Sequence, residues 1–172
     1  MKKVFYLLIA CLLTACAGKV PFTSQMKTEY KIGEKTLKKI QFYTSQEIVL
    51  VQSGGESYMQ TYEGKILVNS TARESKITIP KNTPCTIEQT IDSTRVMVAF
   101  EYGEGRVLIF GLNSIGAYSL YAKKWQGRDG MVEYGNSTYT TANSSGKSVL
   151  NVKLKKLNQY RNKERTISGK RI

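Results

Sequence analysis

Hydrophobic and polar residues alternate with a period of two over most of this chain, which is the spacing of half-buried β-strands. Val96 and Val98, for example, lie on one face of a predicted strand and Met97 on the other. The pattern predicts ten short strands separated by turns, at residues 48–51, 64–68, 77–79, 86–91, 96–100, 106–110, 117–122, 131–134, 138–141 and 150–154. This spacing predicts a mainly β fold, either a small antiparallel β-sandwich or an SH3-like barrel.

A helical period precedes the strands. Ser24 is a candidate cap for a first helical turn. In residues 34–43, Leu37, Ile40 and Tyr43 recur at a spacing of three residues, which places them on one helix face. The sequence therefore predicts a short N-terminal helix over residues 34–43.

The first sixteen residues have the organisation of a bacterial lipoprotein signal peptide. Lys2 and Lys3 form a basic start, and an apolar run over residues 4–13 is shorter than the ~20 residues that cross a bilayer. Leu13-Thr14-Ala15-Cys16 then resembles a lipobox, the site of cleavage and acylation. The resemblance implies that Cys16 becomes the first residue and carries two or three acyl chains, which would anchor the protein firmly in a membrane.

Other interpretations of this segment remain open. Cys11 fits the lipobox loosely, but it would leave an apolar run of only about five or six residues. An ordinary cleaved signal or an uncleaved hydrophobic anchor would also begin in this way. Ala17, rather than an aspartate, follows Cys16, and no acidic run comes next. By resemblance to known lipoproteins, this favours the outer membrane and its periplasmic side.

We therefore divide the chain into a signal peptide (1–15), a lipidated tether (16–23), a mainly β domain (24–157) and a basic tail (158–172). Residues 41–50 and 77–84 resemble small lipoproteins of Bacteroides-type bacteria, and residues 77–110 are similar to the strand pattern of SH3-like barrels. The resemblance implies an envelope address and no particular activity.

The residue types that are missing argue against an enzyme. The chain contains no histidine, which excludes Ser-His-Asp and Cys-His catalysis and the usual zinc sites. Asp92 and Asp129 are its two aspartates, and no cluster of oxygen ligands suits Ca²⁺. After Cys16 has received its lipid, Cys85 has no partner for a disulfide within the domain. We expect neither a metal nor a cofactor.

Three weaker chemical signals have plainer explanations. Residues 143–148 end like a phosphate-binding loop, but position 141 is threonine and a strand pattern follows where that motif requires a helix. Cys85 is more typical of a buried side chain than of a nucleophile, since its usual base is missing. Glu101 and Glu104 flank a predicted turn, where solvated acids are common. An enzyme built on Cys85 or glutamates is the weakest of our hypotheses.

Positive charge is the stronger signal. The formal net charge is +13, and residues 147–172 hold nine Lys or Arg against one acid, Glu164. Such a surface attracts anionic partners, although lysines also protect strand edges without binding anything. The candidate binding residues are Lys153, Lys155, Lys156, Arg161, Lys163 and Arg165. A second basic group is Lys31, Lys35, Lys38 and Lys39.

Trp125 stands in a Gly-rich polar segment, as aromatic carbohydrate platforms do, and is added to the candidate binding residues. Two hypotheses follow. The first is a non-enzymatic, lipid-anchored envelope protein that binds another envelope component or supports an assembly. The alternative is a binding module for anionic glycans or lipid headgroups, such as peptidoglycan or lipopolysaccharide. A nucleic-acid partner is not expected in this compartment.

Overall fold

The computed structural model describes residues 18–54, 57–62, 65–70, 73–135, 137–142 and 144–163. Side chains are described for residues 18–52, 76–135, 137–142 and 144–160. The predicted signal peptide, Cys16 and Arg165 lie outside the described residues. Within these residues the fold is mainly β with two antiparallel sheets in a sandwich-like arrangement, which confirms the predicted class.

The strands of the first sheet are β1 (Lys19–Pro21), β2 (Phe42–Thr44), β7 (Pro84–Thr90), β8 (Arg95–Ala99), β9 (Val107–Leu112), β10 (Tyr118–Leu120) and β14 (Leu150–Lys153). Those of the second are β3 (Ile48–Gly54), β6 (Arg73–Ile79), β11 (Lys124–Gln126), β12 (Asp129–Tyr134) and β13 (Ser137–Ala142). A separate hairpin consists of β4 (Ser57–Tyr62) and β5 (Lys65–Ser70). The helices of the described residues are α1 (Ser24–Glu29), α2 (Glu34–Leu37) and α3 (Leu154–Lys163), with a 3₁₀ helix at Ser145–Lys147.

The first sheet has the order β1-β14-β2-β7-β8-β9-β10, and its two ends come together. The Tyr118 amide donates to the Phe22 carbonyl (3.2 Å), and Ser119 pairs with Val149 beside β14. The second sheet has the order β11-β12-β13-β3-β6, which leaves β11 at an edge. This edge position exposes the β11 side chains.

One hydrophobic core joins both sheets. Phe42 and Phe110 of the first sheet and Ile48 and Leu50 of the second are fully buried. Burial of a side chain of this size stabilises a fold by roughly 1.5–3 kcal/mol. Leu157 of α3 is also fully buried, so this helix is part of the folded domain.

The predicted tether, residues 16–23, differs from the structure. Lys19–Pro21 forms β1 and pairs with β14, and Phe22 is fully buried with its ring centroid 5.0 Å from that of Phe42. Thr23, rather than the predicted Ser24, caps α1 by accepting a hydrogen bond from the Met26 amide. The apolar core holds this segment in the domain, so any free tether ends before Lys19.

The predicted helix over 34–43 was too long. Helix α2 ends at Leu37, a turn follows, and Phe42–Thr44 is strand β2. Leu37 and Ile40 are buried as their spacing predicted, but Phe42 faces the core between β7 and β14. Pairing with two neighbouring strands outweighs the local helical pattern here.

The basic tail, predicted over 158–172, begins as a helix. Helix α3 covers its first six residues, and the predicted last strand stops at Lys153 rather than at residue 154. The sequence also missed β4 and β11, whose short polar segments lack clear alternation. The turn predicted at Glu101 and Glu104 is confirmed, since it joins β8 and β9, which pair as an antiparallel hairpin. No helix among the described residues has the length and apolar character needed to span a membrane.

Candidate binding groove around Trp125

Trp125 is positioned by a short hairpin at the edge of the second sheet. Strand β11 pairs with β12, and this pairing sets Trp125 directly opposite Gly130. Since successive side chains of a strand point to opposite faces, Lys124 and Gln126 project away from the Trp125 side. The Gly127 backbone has φ of +61°, which favours glycine, and this residue closes the turn between the two strands.

Two glycines make room for the indole ring. A Cβ at Gly130 would lie 2.7 Å from Trp125 Cζ3, and one at Gly146 would lie 2.4 Å from Trp125 Cη2. No side chain larger than hydrogen fits at either position without moving the ring. The six-membered ring of Trp125 therefore rests against backbone on two elements, β12 and the 3₁₀ helix.

The 3₁₀ helix is fixed to the second sheet through buried Ser145. Its hydroxyl accepts a hydrogen bond from the Val49 amide (2.9 Å) and contacts the carbonyl oxygen of Ala142. These contacts connect β3 and β13 to the residue beside Gly146. Because Ser145 is only 1% exposed, few alternative positions are open to this loop, and the indole has a firm support.

Trp125 is nevertheless 41% exposed and forms one wall of an open groove of about 280 Å³. The other lining residues are Gly127, Arg128, Ser144, Gly146 and Lys147. The groove thus combines an aromatic surface with two cationic side chains, and none of its lining residues is acidic. This volume is just below the usual range of ligand sites, which are roughly 300–1,000 Å³.

The polar groups of the groove are available to a ligand. Among the described residues, no acceptor bonds the indole N–H of Trp125, and no carboxylate pairs with Arg128 or Lys147. The described ion pairs are instead Arg95–Asp92, Arg106–Glu101 and Lys123–Glu133. An aromatic surface, a free N–H donor and two cations suit a ligand with a flat apolar face and a negative group.

The sequence identified Trp125 but not its neighbours. Arg128 was noted only as part of the same segment, and Lys147 belongs to the loop that we compared with a phosphate-binding motif. The structure supports the rejection of that motif, since strand β14 follows it where the motif requires a helix. Gly130 and Gly146 are both visible in the sequence, but only the fold shows that they lie against the same side chain, that of Trp125.

The C-terminal candidates lie elsewhere. Lys153 ends β14, Lys155 and Lys156 are exposed on α3, and none of the three lines the Trp125 groove. Arg161 and Lys163 lie in helix α3, and the structure describes their backbone but not their side chains. The predicted binding residues therefore divide into two separate places.

Cys85 and Glu101, two of the residues considered for catalysis, are respectively buried and paired with other side chains. Cys85 is 3% exposed, and burial raises the pKa of its thiol to about 12, so it holds its proton at neutral pH. Glu101 forms an ion pair with Arg106 (3.1 Å) and accepts a hydrogen bond from the Tyr134 hydroxyl (2.8 Å). The described residues contain no group of three metal-ligating side chains.

No family model, curated protein or solved structure matches this chain. The proposed function therefore rests on the geometry of the chain's own residues.

Proposed function

We propose that this chain is a non-enzymatic, lipid-anchored protein of the bacterial cell envelope, whose β-domain binds an anionic glycan in the Trp125 groove. The address rests on the lipobox at Cys16, with the outer membrane and its periplasmic side as the expected location. The binding role rests on one observation: a glycine-supported indole beside Arg128 and Lys147 in an open groove.

The chemistry of the groove favours a sugar that carries a carboxylate or a phosphate. The indole offers a flat apolar surface for the C–H face of a sugar ring. Arg128 and Lys147 provide charge-assisted hydrogen bonds to a negative substituent. Lipid-linked and wall-linked glycans of the envelope both contain such groups, so the ligand class agrees with the address.

Fluorescence titration tests the binding role directly, because Trp125 is the only tryptophan. The purified protein is titrated with the N-acetylglucosamine–N-acetylmuramic acid disaccharide, with an N-acetylglucosamine disaccharide phosphate, and with N,N′-diacetylchitobiose as the neutral control. We expect the emission to change with one or both anionic sugars, and the two arms separate a carboxylate from a phosphate source. Equal responses to all three, or to none, would contradict the proposal.

Variants identify the groups responsible. Arg128→Gln and Lys147→Gln should each weaken binding by about tenfold, since each removes a hydrogen bond between charged groups. Lys124→Gln is the matched control, because this lysine lies on the same hairpin with its side chain on the opposite face. Binding should also weaken as the salt concentration rises.

The anchor has its own test. Metabolic labelling with an alkyne fatty acid should mark the wild-type protein, and Cys16→Ala should abolish both the label and firm membrane retention. A Cys16→Ala protein that still carries the label would refute acylation at this position.

A further inference from the structure

The fold begins very close to the predicted anchor. Lys19 is already paired with Lys153 in the first sheet, and only Ala17 and Gly18 separate it from Cys16. A fully extended chain spans at most about 3.6 Å per residue, so Cys16 can lie no more than about 11 Å from Lys19 along the chain. An acylated Cys16 would therefore hold this end of the domain against the bilayer.

Two lysines meet at that end over one aromatic ring. The Lys19 ammonium lies 3.9 Å from the Tyr43 ring centroid, and that of Lys153 lies 5.4 Å from it. Like charges directly opposite each other on neighbouring strands repel, and each ammonium is also attracted to the face of the ring. Lys19 also donates to Asn82 Oδ1 (3.1 Å), but no described carboxylate pairs with either lysine. An external anion would relieve the repulsion.

Helix α3 extends this basic surface. A groove of about 410 Å³ runs beside the start of the fold, between the chain at Gly18 and Val20 and the helix residues Leu154, Lys155 and Asn158. Leu154 is 38% exposed there, so an apolar side chain stands among the lysines. Apolar and cationic side chains together suit the boundary between lipid headgroups and acyl chains.

The other side of α3 brings in the second basic group. The Tyr160 hydroxyl donates to the Lys39 carbonyl (3.0 Å), and the Tyr30 hydroxyl donates to Asn158 Oδ1 (3.0 Å). These contacts join segments more than 100 residues apart. We give the name basic face to the lysines of these neighbouring segments: Lys19, Lys31, Lys35, Lys38, Lys39, Lys153, Lys155 and Lys156.

The basic face carries a large excess of positive charge. The acids on helices α1 and α2 are Glu29 and Glu34, both exposed. None of the eight lysines forms an ion pair with a described carboxylate, as the described pairs involve other residues. The negative surface of a membrane attracts such clusters of basic residues.

We propose that the basic face is a membrane-docking surface that lies on anionic phospholipid headgroups, next to the acyl chains of Cys16. This inference rests on the proposed lipid anchor, and it assigns the C-terminal lysines to the lipid and leaves the Trp125 groove for the glycan. The short connection places the face at the membrane, and its charge selects anionic lipids.

Lysine acetylation of the intact lipidated protein tests the docking. The protein is reconstituted into vesicles of phosphatidylcholine alone and of phosphatidylcholine with phosphatidylglycerol, and acetylation at each lysine is measured by mass spectrometry. We expect acetylation of Lys19, Lys153 and Lys155 to fall severalfold in the anionic vesicles. Exposed lysines outside the face serve as internal controls and should react equally in both: Lys76, Lys123 and Lys124.

Charge removal provides the matched pair of variants. Protection of Lys19 should be lost when Lys153, Lys155 and Lys156 are changed to Gln together. It should persist when Lys76, Lys123 and Lys124 are changed instead. Loss of protection in both triple variants, or in neither, would show that the basic face does not recognise the lipid.

The outcomes separate this inference from the anchor. A protein that does not float with phosphatidylcholine vesicles overturns the anchor, and the docking surface with it. A protein that floats, but whose lysines are acetylated equally in both vesicles, overturns the docking surface alone.

Discussion

The support beneath Trp125 gives the sharpest test of the groove. In Gly146→Ala, the new Cβ would lie 2.4 Å from Cη2 and 2.7 Å from Cζ3, whereas ordinary contacts begin at 3.4 Å. The indole must then move by about 1 Å, and its rigid double ring cannot absorb this by rotating one end. Overpacking of this kind costs about 1–3 kcal/mol of unfolding free energy.

In a protein without the indole, Gly146→Ala should raise the free energy of unfolding instead of lowering it. In a Trp125→Ala background the space beside position 146 is open, and Gly146 is not among the glycines with positive φ. Alanine then fits the backbone and reduces the entropy of the unfolded chain, which should stabilise the protein by about 0.4–1 kcal/mol. The two backgrounds should therefore differ by about 1.5–4 kcal/mol.

Urea unfolding of the four proteins, followed by far-UV circular dichroism, measures this difference as a double-mutant cycle. In the single Gly146→Ala variant, the emission of the sole tryptophan should also shift to longer wavelength as the displaced ring meets water. An equal cost of Gly146→Ala in both backgrounds would refute the clash as its cause, and with it the support that we assign to this glycine.

Two further predictions concern the core. Phe22→Ala should lower the unfolding free energy by about 3–5 kcal/mol, because removal of a fully buried ring leaves a cavity. Tyr102→Ala, at a fully exposed residue, should change the unfolding free energy by less than about 0.5 kcal/mol. Urea unfolding midpoints measure both effects, and equal effects would mean that Phe22 belongs to a free tether. Burial raises the pKa of Cys85 from 9.0 to about 12, so its stabilising contribution is complete below pH 9 and is lost as the pH rises towards 12. Wild-type protein should lose about 1.4 kcal/mol from this group between pH 7 and pH 10, and Cys85→Ala should lack that part of the pH dependence.

The strands could be predicted from the sequence because their alternation of apolar and polar residues is a local pattern. A strand that faces a core on one side must alternate, so Val96 and Val98 identified β8 without any knowledge of its partners. Strand β11 gave no such pattern, since all three of its residues are exposed at a sheet edge. Strand β2 was masked by helical spacing, and only its pairing with β7 and β14 shows that it is extended.

Only part of the candidate groove could be predicted from the sequence, for a related reason. Trp125 attracts attention by its residue type, but nothing in the sequence connects it to Gly146. That connection depends on the way Ser145 bonds to β3, almost a hundred residues earlier in the chain. Contacts between distant segments depend on the closure of the whole fold, and local spacing carries no information about them.

The sequence by itself therefore determined the fold class, the strand positions along most of the chain and the absence of histidine chemistry. Only the tertiary structure decided that residues 19–22 belong to the folded domain, and that Lys39 lies beside Tyr160. The spacing of hydrophobic residues within each segment predicts whether that segment is a strand or a helix. Burial of Phe22 and Leu157 in one shared core determines which segments become neighbours. The basic face and the Trp125 groove are products of that core.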